Sequence, residues 1–166
     1  MTHDDRPVIR PMRAGDAARV IDMARELAAA VGNPEPKVLE SDLIRDGSGP
    51  ERWFDCLVAE VADQLVGYAL LCKAFEAHTS KKRLWLCDFY VRPLARRRGT
   101  GRAVMTAVAR QALQLGCDAV YRELWRMNVT GGAFYRRLQA EEAADLAVMR
   151  LDRDCLEAIA AGNRAP

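Results

Sequence analysis

The sequence predicts an α/β fold, one mixed β-sheet of about six to seven strands with helices on both faces. Three observations predict it. Short apolar or aromatic runs closed by turn residues alternate with longer stretches of helical periodicity. The order along the chain is strand, two helices, three strands, helix, strand, helix, strand, with no internal repeat and no low-complexity segment. At 166 residues, half of them hydrophobic, the chain has the length of about one domain and enough apolar matter for a substantial core. A single domain over 1–166 is expected, with flexible termini at 1–6 and 162–166.

Val8 to Arg10 is a short strand stopped by Pro11. A helix begins near Asp16, because Val20, Met23, Leu27 and Val31 recur at helical spacing; Gly32-Asn33-Pro34 ends it. A shorter helix fits Glu40 to Arg45, closed by Asp46-Gly47-Ser48-Gly49-Pro50, a surface loop. Phe54 to Val61 and Leu65 to Cys72 read as a hairpin about Ala62-Asp63-Gln64. Lys73 to Arg83 loses the pattern and reads as a mobile polar loop. The strand that follows holds Leu84, Trp85, Leu86, Phe89, Tyr90 and Val91 and ends at Pro93, which cannot donate to a ladder. After Gly101, Val104, Met105, Val108, Ala112 and Leu115 form one stripe of a helix that stops at Gly116. Asp118 to Leu124 is a further strand, Thr130 to Leu138 a short helix, Leu146 to Leu151 a last strand, and Cys155 to Ala161 a tail helix.

Charge excludes several functions. With 25 Lys and Arg against 23 Asp and Glu, the net charge of +2 gives no global drive toward nucleic acid or membrane, so any anion preference must be local. No apolar stretch approaches the roughly 20 residues that span a bilayer, and the polar, acidic opening MTHDDRPVIR is unlike a signal peptide. The five cysteines, Cys56, Cys72, Cys87, Cys117 and Cys155, are widely spaced without a Cys-x-x-Cys. That favours reduced thiols in a cytoplasm over a disulfide framework or zinc site, and no metal is expected.

The local anion preference is found in Leu84 to Arg102. A strand passes through Arg96-Arg97-Arg98-Gly99-Thr100-Gly101-Arg102 into a helix. Backbone amides of such a turn, with the unpaired N–H groups of the helix start, suit a phosphate, and glycine permits close approach. A Walker loop is disfavoured because Arg102-Ala103 stands where Lys-Ser/Thr is needed, and a dinucleotide fingerprint because Val104 replaces its third glycine. A solvated arginine cluster is the plain alternative. A nucleic-acid face lacks a second basic stripe or interleaved aromatics.

Arg96 to Gly101 fits the Arg/Gln-x-x-Gly-x-Gly/Ala signature of the GCN5-related N-acetyltransferases (GNAT), and the order of elements resembles that fold. Within the superfamily the chain resembles the diamine (spermidine/spermine) and thialysine branch. The resemblance lies in Cys56-Leu57-Val58-Ala59-Glu60-Val61, in Asp88-Phe89-Tyr90-Val91, in Asn128 followed by Phe134-Tyr135-Arg136-Arg137, and in Arg150-Leu151-Asp152 before the tail helix. It extends over nearly the whole chain. It implies an acetyl-CoA-dependent N-acetyltransferase that moves the acetyl group directly to a primary amine of a small molecule, in a ternary complex. Residues Arg96, Arg97, Arg98, Gly99, Thr100, Gly101 and Arg102 would hold the CoA diphosphate. Backbone groups of Phe89, Tyr90 and Val91 would pair with the pantetheine arm and polarise the thioester carbonyl.

The same resemblance makes Tyr135 the general acid that protonates the departing thiolate, and Asn128 a residue that helps orient CoA. From spacing alone, Tyr135 reads equally as a packed helix tyrosine and Asn128 as a helix cap. An amine of pKa about 10.4 is only about one part in two thousand neutral at pH 7, so a group must take its proton. Asp88 is the candidate, although Cys87 stands where relatives carry the first member of an acidic pair; Cys87 reads as a core or pocket-lining thiol. Glu76 and His78 are further candidates for the substrate side. Lys81 and Lys82, and Ala143-Ala144-Asp145-Leu146 in place of acidic residues and a tryptophan, argue against a polycation. A smaller amine, or an amino acid whose carboxylate meets Lys81, Lys82 or Arg83, is as well accommodated. Gln139 replaces the glycine usual after the Tyr helix. Relatives imply a homodimer that packs its C-terminal segment on the partner. The alternative function is a CoA-binding regulatory or interaction protein of the same fold without turnover.

Overall fold

The computed structural model describes residues 6–143 and 147–162. The chain falls into two compact units, Met1–Trp125 and Arg126–Pro166. The first holds β1 (Val8–Pro11), α1 (Ala17–Val31), α2 (Glu40–Ser48), β2 (Asp55–Val61), β3 (Gln64–Glu76), β4 (Lys81–Val91), α3 (Thr100–Gln114) and β5 (Cys117–Tyr121). Its sheet runs β1-β2-β3-β4-β5, antiparallel throughout except for the parallel β4–β5 pair. The second unit holds α4 (Val129–Arg137) and α5 (Arg153–Ala160). Among the described residues no helix is long and apolar enough to cross a membrane.

Strand alternation divides the core into two layers. Cys56, Val58, Tyr68 and Tyr90 pack with Ala17, Val20, Ile21 and Met23 of α1 and Leu43 of α2. The intervening Leu57, Ala59, Ala69 and Leu71 are also buried, on the face taken by α3, whose Val104, Val108 and Ala112 form the expected stripe. Gly32 ends α1 in the left-handed conformation at φ 72°, as its position after the apolar stripe requires. The most buried charged group is Asp16, 5% exposed. Arg10 grips it at 2.6 Å and also reaches Glu60, and the backbone N–H of Arg13 donates to it at 2.7 Å. These donors hold the Asp16 carboxyl below the usual range against the cost of burial.

Four expectations are corrected. Among the described residues the sheet has five strands, not about six to seven. Residues 147–151, expected to belong to the last strand, carry no strand, and Leu146 lies outside the described residues. The supposed loop Lys73 to Arg83 is mostly strand. β3 runs on to Glu76 and β4 starts at Lys81, so only 77–80 turn. Charge had masked the pattern there: Arg83 pairs with Glu76, which neutralises a cross-strand neighbourhood too polar to read as a strand. Finally, β5 stops at Tyr121, short of Leu124, because its ladder with β4 ends at Trp85–Tyr121. Residues 1–5 and 163–166, expected to be flexible, lie outside the described residues, as do 144–146.

Candidate active site

The middle of β4 departs from regular pairing. Leu71 faces Leu86 and Leu70 faces Asp88, so Cys87 is an extra residue, a β-bulge. The bulge turns two consecutive side chains to one face. Cys87 Sγ lies 3.3 Å from Cys72 Sγ, and Asp88 accepts a hydrogen bond from the Tyr68 hydroxyl at 3.3 Å. Cys72 and Tyr68 are four residues apart on β3 and therefore share a face. At the same place the parallel partner is lost: β5 matches β4 only from Lys82 to Trp85, whereas β4 continues to Val91. Beyond the ladder, Arg122 reaches across to donate to the carbonyls of Leu86 and Cys87. The result is a stretch of β4, from Leu86 toward its C-terminal end, that has no β5 ladder partner.

Asp88 is half-buried over the fully buried Tyr68. Burial pushes its carboxyl above the usual range, and the Tyr68 hydroxyl and the Arg122 charge only partly oppose this. A carboxyl raised in this way is a better proton acceptor than an ordinary aspartate.

At its C-terminal end β4 is held firmly. Arg92 donates to the Leu65 carbonyl at 3.0 Å and pairs with Glu26 of α1 at 2.9 Å. Gly67 faces Val91, and a Cβ there would meet the Tyr90 carbonyl at 2.8 Å, so only glycine permits this approach. Neither Arg92 nor Gly67 stands out in the sequence; the register had to be known first.

The turn that follows has the geometry of an anion cradle. Arg97 (φ 59°) and Gly99 (φ 85°) are both left-handed, and Gly99 caps α3. The first helical acceptor is reached only by the Ala103 N–H, to Gly99 at 2.9 Å, which leaves the amides of Thr100, Gly101 and Arg102 at the open helix start. Thr100 is buried beneath them. Arg96 folds back, donating to the Val91 carbonyl at 2.7 Å and lying over the Tyr90 ring. Arg97, Arg98 and Arg102 are exposed. Among the described residues none of these three pairs with a carboxylate. Phe89, Tyr90, Val91 and Arg96 to Arg102 thus follow one another from the unpartnered part of β4 through the turn into α3. The side chains and amides present suit a diphosphate: several cations, a left-handed turn and a helix start, with no carboxylate paired to Arg97, Arg98 or Arg102 among the described residues.

Glu76 and His78 are elsewhere. Glu76 is six residues along β3 from Leu70, the partner of Asp88, or about 20 Å at about 3.3 Å per residue. It is bound to Arg83 and Thr79, and His78 sits in the exposed turn beside it. Lys81 and Lys82 are exposed at the same hairpin end, where Arg83 also reaches Tyr121.

Asn128 and Tyr135 belong to the second unit. The Asn128 side chain caps α4, accepting from the Gly131 N–H at 2.8 Å, and a Cβ at Gly131 would strike that side chain. Tyr135 is half-buried, its ring edge-on to Phe134 at 5.3 Å. The helix closes with a Schellman turn, the N–H of Gln139 bonding to Arg136 and that of Ala140 to Tyr135. Gln139 takes the left-handed position at φ 61°, where glycine would be unstrained.

Comparison with known proteins agrees with this architecture. A model of the acetyltransferase (GNAT) family matches residues 20–139. Thialysine N-epsilon-acetyltransferase of Sus scrofa is 30% identical over 147 residues, 83% of this chain and 86% of the relative. Spermidine/spermine N(1)-acetyltransferase-like protein 1 of Homo sapiens is 32% identical over 121 residues, 68% of this chain but 17% of that protein. Among solved structures, an integron cassette protein from the mobile metagenome of V. cholerae superposes with a TM-score of 0.76 at 21% identity, covering 93% of this chain and 97% of the other. The likeness in sequence and in fold leads to one conclusion: this chain belongs to the GNAT family of acetyltransferases.

Proposed function

We propose that the protein transfers an acetyl group from acetyl-CoA directly to the primary amine of a small molecule, within a ternary complex. One observation carries the reading: the turn from Arg96 to Arg102 joins two left-handed residues, a helix start and several arginines, with no carboxylate partner among the described residues. Acetyl-CoA supplies the activated acetyl thioester. The turn holds the diphosphate, and the β4 segment Phe89 to Val91 lines the path of the pantetheine arm, its backbone donors opposing the charge that develops on the thioester oxygen. Asp88, with its raised carboxyl, takes the proton from the ammonium so that the neutral amine can attack. Tyr135 gives a proton to the departing thiolate, and Asn128 orients CoA while capping its helix; both roles come from the sequence motif that carries them.

The acceptor is a compact diamine or an amino-acid-like amine in preference to a long polyamine. Glu76, the acidic residue expected on the substrate side, is tied to Arg83, and Lys81 and Lys82 lie exposed beside it. The relative named for thialysine supports an acceptor of this size. The working unit is proposed to be a homodimer. Met149, Leu151, Leu156 and Ile159 are exposed in the second unit, apolar surface available to a partner protomer.

Release of free thiol from acetyl-CoA, followed against a panel of diamines and basic amino acids, tests the reading. Turnover on at least one amine, lowered about 10²- to 10⁴-fold in Tyr135→Phe, is the expected result. Saturable CoA binding with no thiol release on any amine would instead leave a CoA-binding protein without turnover.

A further inference from the structure

The five cysteines are not equivalent, and two of them meet. Cys72 on β3 and Cys87 in the β4 bulge have their sulfurs in contact at 3.3 Å, and Cys87 is exposed. Cys72 is opposite Trp85, two positions before Cys87, so strand alternation sets Cys87 on the Cys72 face, and the extra residue brings Asp88 to that same face. Each thiol also has a carbonyl contact, Cys72 to Trp53 at 3.4 Å and Cys87 to Trp85 at 3.6 Å. The sulfurs stand side by side on adjacent strands, 3.3 Å apart against the about 2.04 Å of a disulfide bond. Arg122 holds the Cys87 carbonyl, so the bulge backbone is fixed while the side chain turns.

We propose that Cys72 and Cys87 are a thiol-oxidation site that closes to a reversible disulfide when a small-molecule disulfide such as glutathione disulfide is in excess. Cys87, the exposed thiol, gives its proton to solvent and attacks one sulfur of the oxidant; one glutathione leaves as thiolate and is protonated. The Cys72 thiolate then attacks Cys87 Sγ and expels the second glutathione. Two protein thiols are oxidised, and one glutathione disulfide is reduced to two glutathione thiols. The bond would lock β3 to β4 at the bulge, next to Asp88. Its consequence for acceptor binding rests on the acetyltransferase reading; its formation does not.

Desolvation and the Cys72 sulfur push the Cys87 thiol up to about 12, and Asp88 adds to the same direction. Thiolate is therefore scarce at neutral pH, and the pair is best examined at equilibrium in mildly alkaline buffer. The intact protein is equilibrated at pH about 8.5 in glutathione buffers of increasing oxidised fraction, acid-quenched, unfolded and alkylated. The expected result is the loss of two alkylatable cysteines out of the five, a linked Cys72–Cys87 peptide in the digest, and loss of that link in Cys72→Ser. Five alkylatable cysteines at the most oxidising ratio would overturn the proposal. So would a stable glutathione adduct on Cys87 beside an alkylated Cys72, or a link between other cysteines. Thiol release is measured on the same samples. A linked protein that acetylates no amine either reduced or oxidised would sink the acetyltransferase reading and leave the dithiol site standing. Activity lost on oxidation, restored by reduction and insensitive in Cys72→Ser joins the two.

Discussion

Both ends of β4 are basic, but Arg83 at one end and the turn arginines at the other are used in opposite ways. At the hairpin end Arg83 is bound to Glu76 and to Tyr121, and its guanidinium lies 4.7 Å over the Tyr121 ring. At the far end Arg97, Arg98 and Arg102 stand exposed around a left-handed turn. A cation with a carboxylate partner organises local structure, and its field is largely cancelled nearby. One without a partner keeps its field for a ligand. The difference teaches where to look for an anion site in a chain whose total charge is nearly balanced: among the cations left over once the pairs are removed. Asp88 lies between the two ends, and its burial makes it the odd group of the strand.

Asp88→Asn should have the largest effect. If Asp88 takes the amine proton, thiol release falls about 10²- to 10⁴-fold while acetyl-CoA binding persists. Stability carries a second signature. The folded carboxyl is raised by burial, so the folded state binds more protons than the unfolded one, and stability falls as pH rises from the ordinary carboxylate range through the folded value. Asp88→Asn should remove that fall in urea titrations across acidic pH. A variant with undiminished turnover would remove Asp88 from the reaction.

The contrast between paired and unpaired cations is next tested at Arg10. Arg10→Ala leaves Asp16 buried without its main partner and should cost about 3–5 kcal/mol of folding stability, read from chemical denaturation. The sign with pH is the reverse of that at Asp88. The Asp16 carboxyl is held low, so its contribution is present above the usual carboxylate value and is lost as pH falls through the folded one. Arg10→Ala should flatten this acid limb. In contrast, Arg97→Ala, Arg98→Ala and Arg102→Ala should leave stability nearly unchanged and weaken acetyl-CoA. Each lost charge-assisted contact is worth about 1.5–3 kcal/mol, or roughly 10- to 150-fold in affinity. Arg83→Ala should leave acetyl-CoA affinity within about twofold, because its charge is already engaged. Equal losses at Arg83 and Arg97 would erase the distinction. At Gln139 glycine relieves the left-handed backbone and should stabilise the protein by about 1 kcal/mol, read from chemical denaturation.

Much of this was legible in the sequence where one residue's physics decided the outcome. Gly32 had to end a helix, and the arginine-rich turn could be read as an anion site before any fold was known, whereas α3, expected only after Gly101, starts at Thr100 with Gly99 as its cap. Asn128 was readable both as a cap and as a cofactor residue, and its bond to Gly131 realises the first. What could not be read were properties of pairs. The bulge at Cys87 exists only in the register against Leu70 and Leu71, so neither the shared face of Cys87 and Asp88 nor the Cys72 contact had a local signal. Glu76 looked like a free acidic residue of a polar loop because its partner Arg83 is joined to it across the hairpin. Gly67 carried no signal of its own, although it is the point at which β3 admits the end of β4.

The central claim is that the Arg96–Arg102 turn reads a diphosphate. Calorimetric titration of acetyl-CoA against S-acetyl-pantetheine, which has the same thioester arm and no diphosphate, tests it most directly. The account predicts saturable binding of acetyl-CoA and binding of S-acetyl-pantetheine at least about 100-fold weaker, as expected for the loss of two or more charge-assisted contacts. Equal affinity for the two ligands would contradict it.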